Sequence, residues 1–358
     1  MNSATSGATP ISIAGRLVGP GQPVFIVAEM SANHRQDLDE ALRIIAVAKE
    51  CGADAVKIQT YTADTITLDS DAEHFVIQDT IWKGQKLHDL YGQAYTPWEW
   101  QAGLKRAAED LGMALFSSPF DHTAVDFLES LDMPAYKVAS FEVVDLPLLR
   151  RMAATGRPVI MSTGMATLGE IDEAVRTLRQ AGCTELSLLK CTSAYPANPL
   201  DMNLRTIPHL AEAFGVPAGL SDHTLGVEAP VAAVALGACL VEKHFTLSRA
   251  AGGPDAAFSL EPAEFAEMVR AVRSVEQALG RVNYQVTERE LASRAFRRSL
   301  FVAEDVRAGE PFTARNVRSV RPAHGLHTRY LEEILGRPAA RDVKKGTPLS
   351  WDLVGGAK

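Results

Sequence analysis

One rhythm repeats along most of this chain. A short apolar run rich in Val and Ile comes first, then a few polar residues, then ten or more residues whose apolar positions recur at helical spacing. The apolar runs fall at 24–29, 55–59, 113–117, 135–140, 158–163, 186–191, 217–221 and 240–244. The stretches between them read as helices. In 37–51, for example, Leu38, Ala41, Leu42, Ile45 and Ala48 share one face. Gly52, Gly112, Gly156 and Gly182 mark helix ends. Eight strands alternating with helices over about 250 residues predict a (β/α)8 TIM barrel of the α/β class. An open doubly wound sheet is the runner-up, and the evenness of the repeats favours closure.

Three stretches break the rhythm. Residues 11–18 alternate weakly ahead of Gly19-Pro20-Gly21, which predicts a hairpin after an unstructured leader, together 1–20. The barrel is expected over 21–280. Within it, residues 61–96 are inserted between the second strand and its helix, which Pro97 opens at Trp98. This insertion carries Thr62, Asp64, Trp82, Tyr91 and Tyr95 and reads as a lid over the catalytic face. Past Gly280 the chain is polar and charged, a linker over 281–298. From Ser299, short alternating runs and many turns predict a small β-rich domain over 299–358. That tail echoes itself. Residues 305–313 and 342–350 each run from Asp-Val through Gly to Pro, then to a hydroxyl suited to capping a helical turn.

The polar residues at the strand ends carry the chemistry. In order they are Glu29, Lys57 with Gln59, Ser117 with Ser118, Lys137 with Ser140 and Glu142, Ser162 with Thr163, Thr192 with Ser193, Ser221 with His223, and Glu242 with His244. In a barrel these ends form one ring around one pocket. His223 and His244 end neighbouring strands of one βαβ unit, where two imidazoles can share a divalent metal. Two strand-end histidines with only local hydrogen bonds are the plain alternative. Lys57 and Lys137, with Ser118, Ser140, Ser162 and Ser221, suit a phosphate or carboxylate. Lysines paired to Glu29 and Glu142, or a Schiff-base lysine, are the other readings. A metal that polarises a carbonyl argues against the Schiff base. Glu29 fits a general base or a group that orients a lysine.

Composition narrows the class. A net charge of −8 argues against a nucleic-acid binder. No apolar run approaches a membrane span, and the first ten residues lack a secretory pattern. Cys51, Cys183, Cys191 and Cys239 form no CxxC pair, so buried thiols in a reducing, cytoplasmic setting are expected. Cys191 ends a strand and is expected to line the site without reacting.

Several motifs resemble the sialic acid synthase family: Ala28-Glu29-Met30-Ser31-Ala32-Asn33-His34, Lys57-Ile58-Gln59-Thr60, Phe116-Ser117-Ser118-Pro119-Phe120, Tyr136-Lys137-Val138-Ala139-Ser140, Ser162-Thr163-Gly164-Met165, Gly219-Leu220-Ser221-Asp222-His223-Thr224 and Glu242-Lys243-His244-Phe245. The likeness runs from about residue 15 to the end, and the tail resembles the antifreeze-like (SAF) domain of these enzymes. Within the family, the first of these motifs, Tyr95-Thr96-Pro97-Trp98-Glu99-Trp100 and Ser293–Leu300 look most like the pseudaminic acid branch.

The resemblance implies a reaction. The methylene carbon of phosphoenolpyruvate attacks the aldehyde of an open-chain amino sugar, water adds, phosphate leaves with carbon–oxygen cleavage, and a nine-carbon 2-keto acid forms. It implies a divalent metal on His223 and His244, usually manganese, with magnesium or cobalt as alternatives. Lys57, Ser118, Lys137, Ser140, Ser162 and Ser221 would hold phosphoenolpyruvate, with Glu29 as the acid–base residue. Gln59, Glu142, Tyr195 and Asp255 would meet the sugar or the metal-bound water. Arg321 would reach the site of a partner subunit in a domain-swapped homodimer. Ser193 stands where sialic acid synthases carry Asn, which points to a different sugar. The sugar implied is 2,4-diacetamido-2,4,6-trideoxy-L-altrose, with N-acetylmannosamine or the legionaminic precursor as alternatives. A different class, an ice- or polysaccharide-binding tail on an inactive barrel, is opposed by the intact ring of lysines, serines and histidines.

Overall fold

A computed structural model describes residues 7–356, so residues 1–6 of the expected leader lie outside the described residues. The chain forms two compact units, 1–280 and 281–358. In the first, a hairpin of β1 (Ile11–Ile13) and β2 (Arg16–Val18) precedes eight parallel strands. These are β3 (Phe25–Glu29), β4 (Ala55–Thr60), β5 (Ala114–Pro119), β6 (Tyr136–Val138), β7 (Val159–Ser162), β8 (Leu186–Cys191), β9 (Ala218–Asp222) and β10 (Leu240–His244). They pair in sequence order, and β10 closes onto β3 in a register that runs from Leu240–Phe25 to His244–Glu29. The closed TIM barrel is therefore present, and every strand arises from one of the eight apolar runs. The fourth run is shortened: after Val138 the chain leaves the sheet for the 3-10 turn Ser140–Val144.

Alternate side chains of a strand take opposite faces, and this sorts each run into two cores. Phe25, Val27, Ala55, Ala114, Phe116, Ala135, Ile160, Leu189 and Leu240 cluster inside the barrel, joined by Ile11, Ile13 and Val18 of the hairpin. The intervening Ile26, Ala28, Val56, Ile58, Leu115, Val138, Met161, Leu188, Leu220 and Val241 belong to the larger core shared with the helices. Burial on both faces explains why the runs read as nearly continuous apolar sequence. At position 219 only glycine fits, because a Cβ would come 2.3 Å from the Leu240 carbonyl oxygen.

The helix Leu38–Glu50 buries Ala41, Ile44, Ile45 and Ala48, while Leu42 is partly buried and Leu38 is exposed. Leu38 directly follows the N-cap Asp37, whose side chain accepts from the Glu40 amide at 3.1 Å, so it sits at the helix edge rather than on the apolar stripe. Gly52 and Gly112 end their helices at φ +91° and +67°, where a side chain is disfavoured.

The second unit pairs β11 (Ser299–Val302) antiparallel with β12 (Val317–Val320) around the buried Leu300, Val302, Val306, Phe312, Val343 and Leu349. The sequence echo is an internal pairing. Val306 and Val343 exchange backbone hydrogen bonds of 2.9 and 2.8 Å. Asp305 accepts from the Lys345 amide at 2.9 Å, and Asp342 accepts from the Ala308 amide at 2.8 Å. The charged segment before it contains the helix Glu288–Arg294. Among the described residues, no helix is long and apolar enough to cross a membrane.

Candidate active site

The inward face of each barrel strand changes from carbon to polar atoms as the strand nears its C-terminal end. Beyond the apolar cluster, the inward series continues as Glu29, Lys57, Gln59, Ser118, Lys137, Ser162, Cys191, Ser221, Glu242 and His244. Except for Ser118, these residues line one cavity of about 470 Å3, together with Ser140, Glu142, Tyr195, His223 and Asp255. Most of the sequence ring thus lines one cavity, but Ser117, Thr163 and Thr192 lie off it: the first two hydroxyls donate to the Ile58 and Leu189 carbonyls, and the third accepts from Lys190. Ser118 is buried behind the lining and meets the Lys57 ammonium at 3.3 Å. Ser193 is also off the lining, with its hydroxyl 3.6 Å from the Cys191 sulfur. Arg321 lies in the other unit, exposed at the end of β12.

The floor of the cavity holds two ammonium groups and two carboxylates away from water. Lys57 pairs with Glu29 at 2.8 Å and lies 3.6 Å from Glu242. Lys137 donates to Ser162 at 2.7 Å and to the Val138 carbonyl at 2.9 Å. Ser221 donates to Glu242 at 3.2 Å. Burial raises Glu29 above the usual carboxylate range, against the pull of Lys57. Burial also acts on Glu242, but Lys137 and Lys57 outweigh it and hold this carboxyl low. Two neighbouring carboxyl groups are therefore pushed apart, with Glu29 the one suited to carry a proton. Lys137 is lowered by burial, while the two carboxylates keep Lys57 high despite its own burial.

The histidines stand side by side, their ring centres 5.2 Å apart. His223 Nδ1 lies 3.0 Å from the Thr192 carbonyl, which places the hydrogen on that nitrogen and leaves Nε2 as the acceptor. His244 Nδ1 is buried without a hydrogen-bond partner, and burial keeps this ring well below its ordinary value, hence neutral. Among the described residues, no three His, Cys, Asp or Glu side chains converge on a metal-sized point. Burial lowers the His223 ring, but Cys191 and the Thr192 carbonyl outweigh it and raise the ring. Once that proton is released, the two rings offer adjacent nitrogen donors that suit a divalent ion. Asp222 and Lys243, the neighbours of the two histidines, face away from the cavity and form a fully buried pair at 2.5 Å. Burial pushes the Cys191 thiol up, but the His223 ring and the Ser140 and Ser193 hydroxyls outweigh it, leaving it at about 7.

The insertion supplies the roof. Its short helices, Ala63–Ile66 and Leu87–Ala94, place Ile66, Leu87, Leu90 and Tyr91 on the cavity, and the segment between them adds Ile77 and Trp82. The Trp82 indole N–H donates to the Pro254 carbonyl at 3.1 Å, and its ring lies 5.7 Å from that of Tyr195. Thr62 and Asp64 serve the insertion itself. Thr62 caps the first helix, and Asp64 pairs with His88 at 3.0 Å on the surface. The sequence places Glu242 in the strand-end ring without a role of its own and does not single out Ser31 or Phe258, and all three line the cavity. The parity of the strand, with Glu242 two residues before His244, carries the signal for the first.

Glu142 has one carboxylate oxygen buried without a partner, and burial pushes the group up to about 7. A carboxyl raised in the fold contributes stability below its unfolded value, and that contribution is lost as pH rises through about 7. Glu142→Gln is therefore expected to be more stable than the parent at pH 8 by about 2 kcal/mol. The advantage should fade toward pH 5. Urea unfolding at the two pH values checks the sign.

The NeuB family model matches residues 44–284, and the SAF domain model matches 297–355. The pseudaminic acid synthase of Helicobacter pylori is 46% identical over 332 residues, which cover 92% of this chain and 98% of that protein. The N,N'-diacetyllegionaminic acid synthase of Legionella pneumophila is 35% identical, covering 94% and 96%. Among solved structures, the N-acetylneuraminic acid synthetase of Leptospira borgpetersenii, in complex with citrate, is similar with a TM-score of 0.71 at 31% identity. It covers 80% of this chain and 95% of that one.

Proposed function

The chain belongs to the NeuB family of phosphoenolpyruvate-dependent nonulosonic acid synthases, and from that membership we propose that it makes pseudaminic acid. The substrates are phosphoenolpyruvate, water and 2,4-diacetamido-2,4,6-trideoxy-L-altrose, and phosphate is the second product. One observation carries the reading: a single cavity joins two lysines and several hydroxyls, suited to phosphate and carboxylate, to Glu29, whose carboxyl burial raises, and to a pair of adjacent imidazoles. Lys57 and Lys137, with Ser140, Ser162 and Ser221, hold phosphoenolpyruvate, and Ser118 backs Lys57 from behind the lining. Glu29 holds or moves a proton beside the reacting carbons. His223 and His244 hold a divalent ion, manganese in this reading, which would supply Lewis acidity toward the sugar aldehyde. Gln59, Glu142, Tyr195 and Asp255 face the sugar. The finer choice of sugar is supported by the higher identity to the Helicobacter enzyme and by the apolar insertion lining, which suits a deoxygenated, N-acylated sugar.

The homodimer belongs to the same reading. Phe141, Val144, Met165, Leu168, Leu200 and Leu225, on the loops after β6 to β9, are 50% to 87% exposed at one end of the barrel. An apolar surface of this kind calls for a cover, and the tail of a second copy, bearing Arg321, would provide it.

The test is an assay of the purified protein with phosphoenolpyruvate, manganese and each of three sugars. Phosphate release and a nine-carbon keto acid are expected with the altrose derivative, at a kcat/KM roughly a hundredfold above N-acetylmannosamine and the legionaminic precursor. Equal or better turnover of either competitor overturns the choice of sugar.

A further inference from the structure

The residue after Met30 has a backbone that its side chain does not favour. Ser31 is 2% exposed and sits at φ +44°, in the left-handed region that glycine enters freely and other residues enter at a cost. A serine held there against its backbone preference calls for a use of its hydroxyl. That hydroxyl accepts from Gln59 Nε2 at 2.8 Å and donates to Asp255 Oδ2, which also takes the Ala32 amide at 3.4 Å. The second N–H of Gln59 goes to Glu29 Oε1 at 3.0 Å. Both amide hydrogens of Gln59 are thus committed to protein, and its carbonyl oxygen is left for the cavity. Gln59 is one inward position nearer the barrel mouth than Lys57, and Asp255 comes from the loop that follows β10. A substrate layered above the lysine-bound anion meets these two groups.

We propose that Ser31 is a positioning residue for the second substrate, fixing the Gln59 amide and the Asp255 carboxylate in their ligand-facing orientation. The proposal rests on reading the cavity as a site for phosphoenolpyruvate below and an amino sugar above. Without the hydroxyl, the Gln59 amide loses one of two anchors and Asp255 loses its strongest donor. The anion-binding lysines, a layer deeper, keep all their contacts.

Ser31→Gly and Ser31→Ala separate the hydroxyl from the strain. Both remove the hydroxyl, and only glycine relieves the backbone. In both, the KM of whichever amino sugar the wild type turns over is expected to rise roughly tenfold, with the KM of phosphoenolpyruvate unchanged within about twofold. The glycine variant is expected to melt about 2 °C above the alanine variant. A wild-type sugar KM in Ser31→Gly overturns the proposal. So does an equal rise in both KM values, which marks general collapse of the site, and so does identical melting of the two variants. If the wild type turns over no amino sugar at all, the proposed function fails and this inference with it. An active wild type with unaffected variants fails the inference alone.

Discussion

Alanine at His223 or at His244 is expected to lower turnover about a thousandfold, since a bound Lewis acid contributes several kcal/mol to a barrier and each ~1.4 kcal/mol is a decade in rate. Chelation should do the same, and manganese should reverse it. The expectation rests on how the two rings are prepared. Thr192 holds the hydrogen of His223 on Nδ1. His244 is kept neutral above all by burial. Its buried Nδ1 has no protein partner. An unpartnered buried nitrogen costs free energy unless something binds the ring in the working enzyme. The fold does not depend on the rings, because the Asp222–Lys243 pair ties the two strand ends together behind them. Each variant should therefore keep its circular dichroism and bind phosphoenolpyruvate. Full turnover in a metal-stripped preparation, or in either alanine variant, would refute a two-histidine metal site.

Glu29→Gln is expected to cut kcat at least a hundredfold, the usual scale for a positioned acid or base. The change is nearly isosteric. Lys57 keeps a hydrogen bond at position 29, Ser118 at 3.3 Å and the Glu242 carboxylate at 3.6 Å, so the anion site should survive with its affinity within a few-fold. What the variant loses is a proton whose affinity burial has raised. A limb of the wild-type pH–kcat profile should disappear with it. Glu242 offers the contrast. Both lysines hold it ionised, and it in turn favours their charged forms, so Glu242→Gln should let these buried amines lose protons, weaken them as anion ligands and raise the KM of phosphoenolpyruvate instead. Near-normal turnover in Glu29→Gln would leave that residue a support for Lys57.

Much of this is legible in the amino-acid sequence, because it is local. A strand with both faces buried must be apolar throughout, and a helix over it must be apolar every third or fourth residue, so eight alternations count the barrel. Polar residues that recur at the ends of those runs, from Glu29 to His244, then name the site, since a barrel gathers such ends in one ring. Motif resemblance added the reaction. Other features were settled only when distant segments met. Pairing of the first and last strands, His244 against Glu29, brings Glu242 to Lys57 and turns two ordinary glutamates into an ionised one and a protonatable one. No local pattern encodes that difference, because it comes from desolvation and from which charges share the same dry space. Thr62 and Asp64 read as lid residues from their position in the insertion, yet the folded insertion spends them on its own cap and surface pair. Ser31 looked like one small residue in a motif. Its meaning required a backbone angle and two partners from other elements, which depend on packing across the barrel mouth and not on the chain's own periodicity.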